Sequence, residues 1–188
     1  MVFDGYLKGR CATLRAVTLD DCDSRYLSWM TDPEINRYME TRWSCQTSKT
    51  IEDFVTSIRS SSHSYLFAIL SDGNHVGNIK IGPIDSRYKN ADISYFIGES
   101  HVQGRGLATD AVRLVVDFGF EKLGLHRIQA GAFRENAASR KVLEKNGFRQ
   151  EGVFREKYFL TDESNWTDGY QYGILRSQWE EDRKHEIG

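Results

Sequence analysis

The chain has 188 residues, with 25 Lys and Arg against 27 Asp and Glu, so its formal net charge is −2. This length favours one domain, and the near balance of charge disfavours binding of nucleic acid through a basic surface. No apolar run approaches the roughly 20 residues that cross a bilayer, and no signal peptide is evident at the start. The three cysteines form no Cys-x-x-Cys pair, which disfavours a metal cage and a disulfide framework. We therefore expect a soluble, cytoplasmic single domain over 1–188 that binds no nucleic acid, membrane or metal.

The first half of the chain mixes helical and extended patterns. Asp32 before Pro33 is a helix-start signal, and Asp72-Gly73 is typical of a hairpin turn. The spacing of apolar residues predicts the remaining elements. In chain order these are a strand at 11–17, helices at about 18–30, 33–39 and 50–58, and strands at 64–70 and 75–81.

The second half alternates strands and helices, and Gly147 is the expected left-handed end of a helix. A strand, a helix and a strand in succession imply a locally parallel, right-handed crossover. The sequence thus predicts an α/β (α+β) domain with a core over about 10–176 and a mixed sheet of about seven strands. Its elements are strands at 90–97, 127–133, 148–159 and 170–175, helices at 107–120 and 136–146, and a polar tail at 177–188.

A glycine-rich loop joins the strand at 90–97 to the next helix. Two glycines permit a tight turn, so backbone N–H groups and the positive end of the helix can converge on one anion. Arg105 can add positive charge. The loop matches neither the Walker A nor the dinucleotide-binding pattern, which disfavours a nucleoside triphosphatase. The sequence predicts a phosphate or pyrophosphate cradle, with a glycine-lined connector that binds nothing as the alternative.

A second motif follows about thirty residues later, as Asn136-x-x-Ser139 and then Lys145-Asn146-Gly147-Phe148. Together with Gln103-x-x-Gly106-x-Ala108, it resembles the GNAT superfamily of acyl-CoA-dependent N-acetyltransferases. The similarity is greatest to the branch that contains the ribosomal-protein alanine N-acetyltransferases. It implies a mostly antiparallel sheet with a splayed central strand pair, acetyl-CoA (coenzyme A) as co-substrate, and no metal.

The resemblance also implies roles for single residues. The loop would bind the pyrophosphate, the strand before it would pair with the pantetheine, and Asn136 would contact the pantetheine arm. Ser139 would protonate the departing thiolate, because Leu143 stands where many relatives carry a catalytic Tyr; water or another group is the alternative. The implied cofactor-binding residues are Tyr95, Phe96, Ile97, Gln103, Gly104, Arg105, Gly106, Leu107, Ala108, Thr109, Asn136 and Ser139.

The general base is less well defined by the sequence. Period-two alternation places Glu156 and Tyr158 on one face of the strand at 148–159, in the region where related enzymes hold an acceptor-side acid. An exposed, solvated Glu156 beside Arg155 and Lys157 is the alternative. The alternatives are a water chain or one of the titratable residues Asp92, Glu99, His75 and His101.

The segment between the early helices is expected to shape the acceptor pocket, as it does in the family. Glu40 can hold an ammonium group, Arg42 a phosphate or carboxylate, and Trp43 can stack on a ring; a solvated loop is the alternative. The residues around it also resemble members that act on amino sugars attached to nucleotides.

The expected function is direct acetyl transfer to a primary amine of a small molecule, such as an amino sugar. A protein N-terminal acetyltransferase and a non-catalytic acyl-CoA-binding module are the alternatives. The expected partner is a small-molecule or peptide amine, and the chain is expected to be a monomer or homodimer.

Overall fold

A computed structural model describes residues 3–161 and 164–187, and in these residues one open sheet of eight strands organises the fold. All neighbouring strands are antiparallel except one central pair. The strands are β1 (Tyr6–Lys8), β2 (Thr13–Ala16), β3 (Tyr65–Ser71), β4 (Asn74–Asp85), β5 (Asn90–Ile97), β6 (Arg127–Phe133), β7 (Arg149–Leu160) and β8 (Asn165–Leu175). Their order across the sheet is β1-β2-β3-β4-β5-β6-β8-β7, which confirms the predicted mixed, mostly antiparallel sheet.

The helices flank this sheet, and none of them, over the described residues, is long and apolar enough to cross a bilayer. They are α1 (Ser24–Thr31), α2 (Pro33–Asn36), α3 (Ser48–Ser60), α4 (Leu107–Glu121), α5 (Ala137–Lys145) and α6 (Arg176–Ile187). Single 3₁₀ turns lie at Leu19–Asp21, Glu40–Trp43 and Ser100–Val102.

Four sequence predictions need correction. The sheet has an additional first strand, β1, and β8 begins at Asn165 rather than at 170. The helix expected from about 18 begins at Ser24, because Asp23 caps it by accepting a hydrogen bond from Tyr26 N. The polar tail is helical as far as the structure describes it, since Trp179 packs on Phe120 and donates to Asp117 Oδ1 at 2.7 Å.

The two faces of the sheet carry separate apolar clusters. Along β3 the side chains alternate, so that Phe67 joins the cluster beneath α4 whereas Leu66 joins the cluster beneath α1 and α3. Val115 of α4 and Trp29 of α1 are core residues of the two clusters. The sheet is therefore held between helices on both faces.

The central strands β5 and β6 separate soon after they pair. Their parallel pairing includes only Asn90, Ala91 and Asp92 of β5, whereas pairing of β5 with β4 continues to Ile97. Gln129 Nε2 donates to Asp92 Oδ2 at 3.4 Å, close to where the strands diverge. The predicted splayed pair is confirmed, and it leaves one backbone edge of β5 without a strand partner.

The Asp21 carboxylate stabilises the connection between β2 and α1. It accepts two hydrogen bonds from Arg15, each 2.7 Å long, and one from Thr18 N, and its side chain is 8% exposed. Burial raises the pKa of Asp21, but these hydrogen bonds outweigh burial and bring it from 3.8 to about 2. Because the folded pKa is the lower one, this stabilisation is present above pH 3.8 and is lost as the pH falls towards 2.

We expect Asp21→Asn to lower the free energy of unfolding by about 2 kcal/mol at pH 7. Urea unfolding should show this difference shrinking as the pH is lowered from 5 towards 2. Asp20→Asn, at the exposed neighbouring position, is the matched control. A difference that does not change with pH would contradict the assignment to the ionised carboxylate.

Candidate active site

Two cavities lie along the cleft that opens where β5 and β6 separate. The first, the loop cavity, has a volume of about 430 Å³ and is bordered by the loop before α4, by α5 and by the end of β5. The second, the aromatic cavity, has a volume of about 530 Å³ and carries seven aromatic side chains. Both are lined by Tyr95, Phe96, Asn136 and Ser139, so the two cavities meet at these residues.

The loop cavity has the geometry of an anion-binding site. Gly104 and Gly106 have φ values of 77° and 83°, in the left-handed region that favours glycine, and Gly106 is the N-cap of α4. The first N–H groups of a helix have no intrahelical partner, and here Leu107, Ala108 and Thr109 line the cavity. A Cβ on Gly106 would meet nothing closer than 4.0 Å, so the space beside the turn is open. These residues fit a phosphate-bearing ligand.

Two neighbouring elements keep this turn in place. Asp110 Oδ2 accepts hydrogen bonds from Cys11 N at 2.8 Å and Ala12 N at 2.9 Å, and Arg113 donates to Oδ1. Burial raises the pKa of Asp110, but the backbone hydrogen bonds outweigh burial and the net shift is downward, so the carboxylate stays charged at neutral pH. Asn146 Nδ2, at the end of α5, donates to Thr109 O at 3.2 Å.

The remaining predicted loop residues take different positions. Gln103 lines the loop cavity, and its side chain donates to Ile97 O at 3.4 Å. Arg105 is exposed and lines a separate depression with Arg25, His101 and others, so the structure does not bring it into the loop cavity. Lys141 and Lys145, which were not predicted from the sequence, also line the loop cavity, and their i, i+4 spacing on α5 is the signal that could have identified them.

Ser139 and Tyr95 form a hydroxyl pair where the cavities meet. Asn136 caps α5, since its Oδ1 accepts a hydrogen bond from Ser139 N at 3.0 Å. The Tyr95 hydroxyl lies 3.0 Å from Ser139 Oγ and 3.2 Å from Ser139 O. Burial raises the pKa of Tyr95 to about 12, against the opposing effect of its hydrogen bond to Ser139, so Tyr95 is protonated at neutral pH. Leu143 is fully buried in the core and lines neither cavity.

A β-bulge separates Glu156 from the cavities. The register between β7 and β8 shifts between Phe154 and Tyr158, and Glu156 has a φ of 50° and is exposed. The alternation that placed Glu156 beside Tyr158 therefore does not hold. Tyr158 lines the aromatic cavity and stacks on Phe133 with ring centroids 3.9 Å apart.

Within the described residues, none of the four alternative bases lines either cavity. Glu99 accepts a hydrogen bond from Trp29 Nε1 at 3.2 Å, and His101 lies 3.4 Å from Glu99. His75 is buried, and burial lowers its pKa, so its imidazole is neutral at neutral pH. Asp92 lies where β5 and β6 diverge.

Of the three predicted acceptor residues, Glu40 lines the aromatic cavity. Arg42 and Trp43 line an adjoining shallow groove, which Trp166 also borders. The Arg42 guanidinium donates to Met39 O at 2.9 Å and stacks over the Trp43 ring at 5.0 Å. Arg42 thus helps to hold the wall between groove and cavity.

The splayed sheet places a helix N-terminus suited to an anion on one side of the cleft and an aromatic cavity on the other. This arrangement is typical of a protein that brings together a phosphate-bearing cofactor and a second ligand. The family model described as "Acetyltransferase (GNAT) domain" matches residues 12–149. The chain belongs to this family, and it is an acetyl-CoA-dependent N-acetyltransferase.

The chain is similar to proteins from several bacteria. It is 40% identical to Probable N-acetyltransferase YjcK of Bacillus subtilis (strain 168) over 114 residues, which are 59% of this chain and 61% of that protein. It is 28% identical to Uncharacterized N-acetyltransferase p20 of Bacillus licheniformis over 89% of this chain and 94% of that protein. The structure of Mycobacterium smegmatis RimJ in complex with CoA-disulfide has a TM-score of 0.76 and 25% identity, covering 91% of this chain and 86% of that one.

Proposed function

We propose that this N-acetyltransferase carries the acetyl group of acetyl-CoA directly to a primary amine of a small, polar molecule such as an amino sugar. The observation that carries the proposal is the meeting of the two cavities at Tyr95 and Ser139. A cofactor in the loop cavity and an acceptor in the aromatic cavity would present their reacting groups to each other there.

The loop cavity is assigned to the cofactor. The N–H groups of the turn and of the first residues of α4 bind the pyrophosphate, and Lys141 and Lys145 add positive charge. Tyr95, Phe96 and Ile97 lie beyond the last pairing of β5 with β6, so their backbone can pair with the pantetheine arm. When bound, acetyl-CoA supplies the activated thioester.

The residues at the junction then serve the transfer. The two cavities would hold the amine close to the acetyl carbonyl, which lowers the entropic part of the activation barrier to acetyl transfer. A backbone N–H of Phe96 or Ile97 would donate a hydrogen bond to the carbonyl oxygen as it gains negative charge. As the nitrogen–carbon bond forms and the carbon–sulfur bond breaks, the amine would lose a proton to water in the cleft, and Ser139 Oγ would donate a proton to the sulfur and regain one from water. Tyr95 holds the Ser139 hydroxyl in place through the 3.0 Å contact.

The aromatic cavity is assigned to the acceptor. Its ring faces suit the apolar face of a sugar ring, and its few polar groups fix the orientation. Among the described lining residues Glu40 is the single carboxylate, and it is suited to an ammonium group. Arg42 and Trp43 border the adjoining groove, where a longer acceptor would extend.

An acceptor screen tests the proposal. The protein is incubated with acetyl-CoA and, separately, with amino-sugar nucleotides, aminoglycosides and peptides with a free N-terminus, and release of the CoA thiol is measured. We expect release with a sugar-based amine. Release with peptides alone would instead identify a protein N-terminal acetyltransferase, and no release with any of these amines would count against a sugar-based acceptor.

A further inference from the structure

Two polar residues of β4 lie on the wall of the aromatic cavity. Asn78 and Lys80 are two positions apart on the strand and therefore share one face of the sheet. They pair in register with Phe96 and Ser94 of β5, which line the same cavity. Neither residue is predicted from the sequence, because the buried Ile79 and Ile81 dominate the pattern of the strand.

Asn78 presents an unused hydrogen-bond donor. The residue is 2% exposed, and its amide nitrogen has no hydrogen-bond partner among the described residues. The Tyr26 hydroxyl is a neighbour of this amide but does not meet it in hydrogen-bond geometry. A buried amide that lacks a partner costs about 1–3 kcal/mol, so a ligand oxygen that accepts from it gains a corresponding advantage.

In the structure the Asn78 amide directs its oxygen at His75. His75 Nε2 lies 2.8 Å from Asn78 Oδ1, and because an amide oxygen only accepts, the imidazole donates this hydrogen bond. With the imidazole proton on Nε2, Nδ1 has no hydrogen to donate, and it lies 3.6 Å from the Asp21 carboxylate without a hydrogen-bond partner among the described residues. The Asn78 nitrogen therefore remains available to a ligand.

Lys80 adds a positive charge beside this donor. Among the described residues its ammonium forms no ion pair, and the single carboxylate lining the cavity, Glu40, lies on a separate element. An amide N–H₂ and an ammonium on one strand face attract an anionic oxygen group and repel a second ammonium. A polyamine would place such an ammonium against Lys80.

We propose that Asn78 and Lys80 form an anion subsite, so that the acceptor is an amine that also carries a phosphate or carboxylate, and polyamines are poor acceptors. This inference rests on the proposed function, since it assigns the aromatic cavity to the acceptor. An amino sugar phosphate and an amino acid both have the required chemistry.

Matched amines test the subsite. One pair is D-glucosamine 6-phosphate and D-glucosamine, which differ by a phosphate, and the other is β-alanine and its amide, which differ by a carboxylate. Spermidine represents the polyamines, and kcat/KM is measured for each amine from release of the CoA thiol. We expect the anionic member of at least one pair to be preferred about 10-fold, as ~1.4 kcal/mol of added interaction gives. The pair that shows the preference distinguishes phosphate from carboxylate.

Variants locate the preference on β4. Lys80→Met and Asn78→Leu are expected to abolish the preference for the anionic amine and to change kcat/KM for the neutral amines less. Lys122 is an exposed lysine at the end of α4, and Lys122→Met is expected to retain the preference. Equal use of anionic and neutral amines by the wild type, or a preference that persists in Lys80→Met, would overturn the subsite but leave the proposed function standing.

A binding measurement covers the case in which no amine of the panel releases thiol, a result that counts against the proposed function. The same pairs are then titrated into the CoA-loaded protein, and backbone NMR shifts at residues 78 and 80 are followed. Shifts caused by an anionic amine and not by its neutral partner support the subsite, and the absence of such shifts overturns it.

Discussion

Gly106→Val is expected to weaken CoA binding about 100-fold in isothermal titration calorimetry. At a φ of 83° a β-branched residue is strongly disfavoured, so the turn must rearrange and the N–H groups before and within the first turn of α4 no longer converge. Hydrogen bonds to a charged group contribute about 1.5–3 kcal/mol each, and losing the equivalent of one or two gives this factor.

Gly124→Val is the matched control for this experiment. Gly124 has a φ of 65° and, like Gly106, open space around a Cβ, but it lies in the turn after α4 and lines neither cavity. Both variants therefore carry comparable backbone strain, and the midpoint of thermal unfolding should fall by a similar amount in each. A folded Gly106→Val protein that binds CoA as tightly as Gly124→Val would refute the assignment of the loop cavity to the cofactor.

The loop cavity was the more predictable half of the site because its determinants are local. The left-handed turn at Gly104 and Gly106 and the start of α4 are contiguous in sequence, and the cap at Asn136 lies within one turn of Ser139. Residue type and spacing are enough to define such a feature.

The acceptor half depends on contacts between distant segments. Asn78 faces a cavity only because β5 and β6 diverge and α1 covers that side, which no local pattern on β4 encodes. Glu156, in contrast, was predicted to face the site but does not. The bulge that arises from the pairing of β7 with β8 breaks the alternation that the sequence implied. β1 is another such case, because its three residues gain their structure by pairing with β2.

Ser139→Ala is expected to lower kcat about 100-fold while changing the Kd for CoA less than about 2-fold. The hydroxyl is proposed to act on the sulfur only as the carbon–sulfur bond breaks, so its loss affects the transition state more than cofactor binding. Stopped assays with the acceptor found in the screen give kcat, and calorimetry gives the Kd. An unaltered rate would remove Ser139 from the mechanism.

Tyr95→Phe separates a positioning role from a direct one. It keeps the ring at the junction of the cavities and removes the hydroxyl that lies 3.0 Å from Ser139 Oγ. If Tyr95 acts through Ser139, the single variant should lose about 10-fold in kcat, and the double variant Tyr95→Phe/Ser139→Ala should be no slower than Ser139→Ala alone. Losses that multiply in the double variant would show that Tyr95 contributes independently, for example by its own contact with the cofactor. A double variant that is no slower than Ser139→Ala would indicate that the Tyr95 and Ser139 hydroxyls act together as the proton donor. Leu143, which is buried in the core, has no proton to donate.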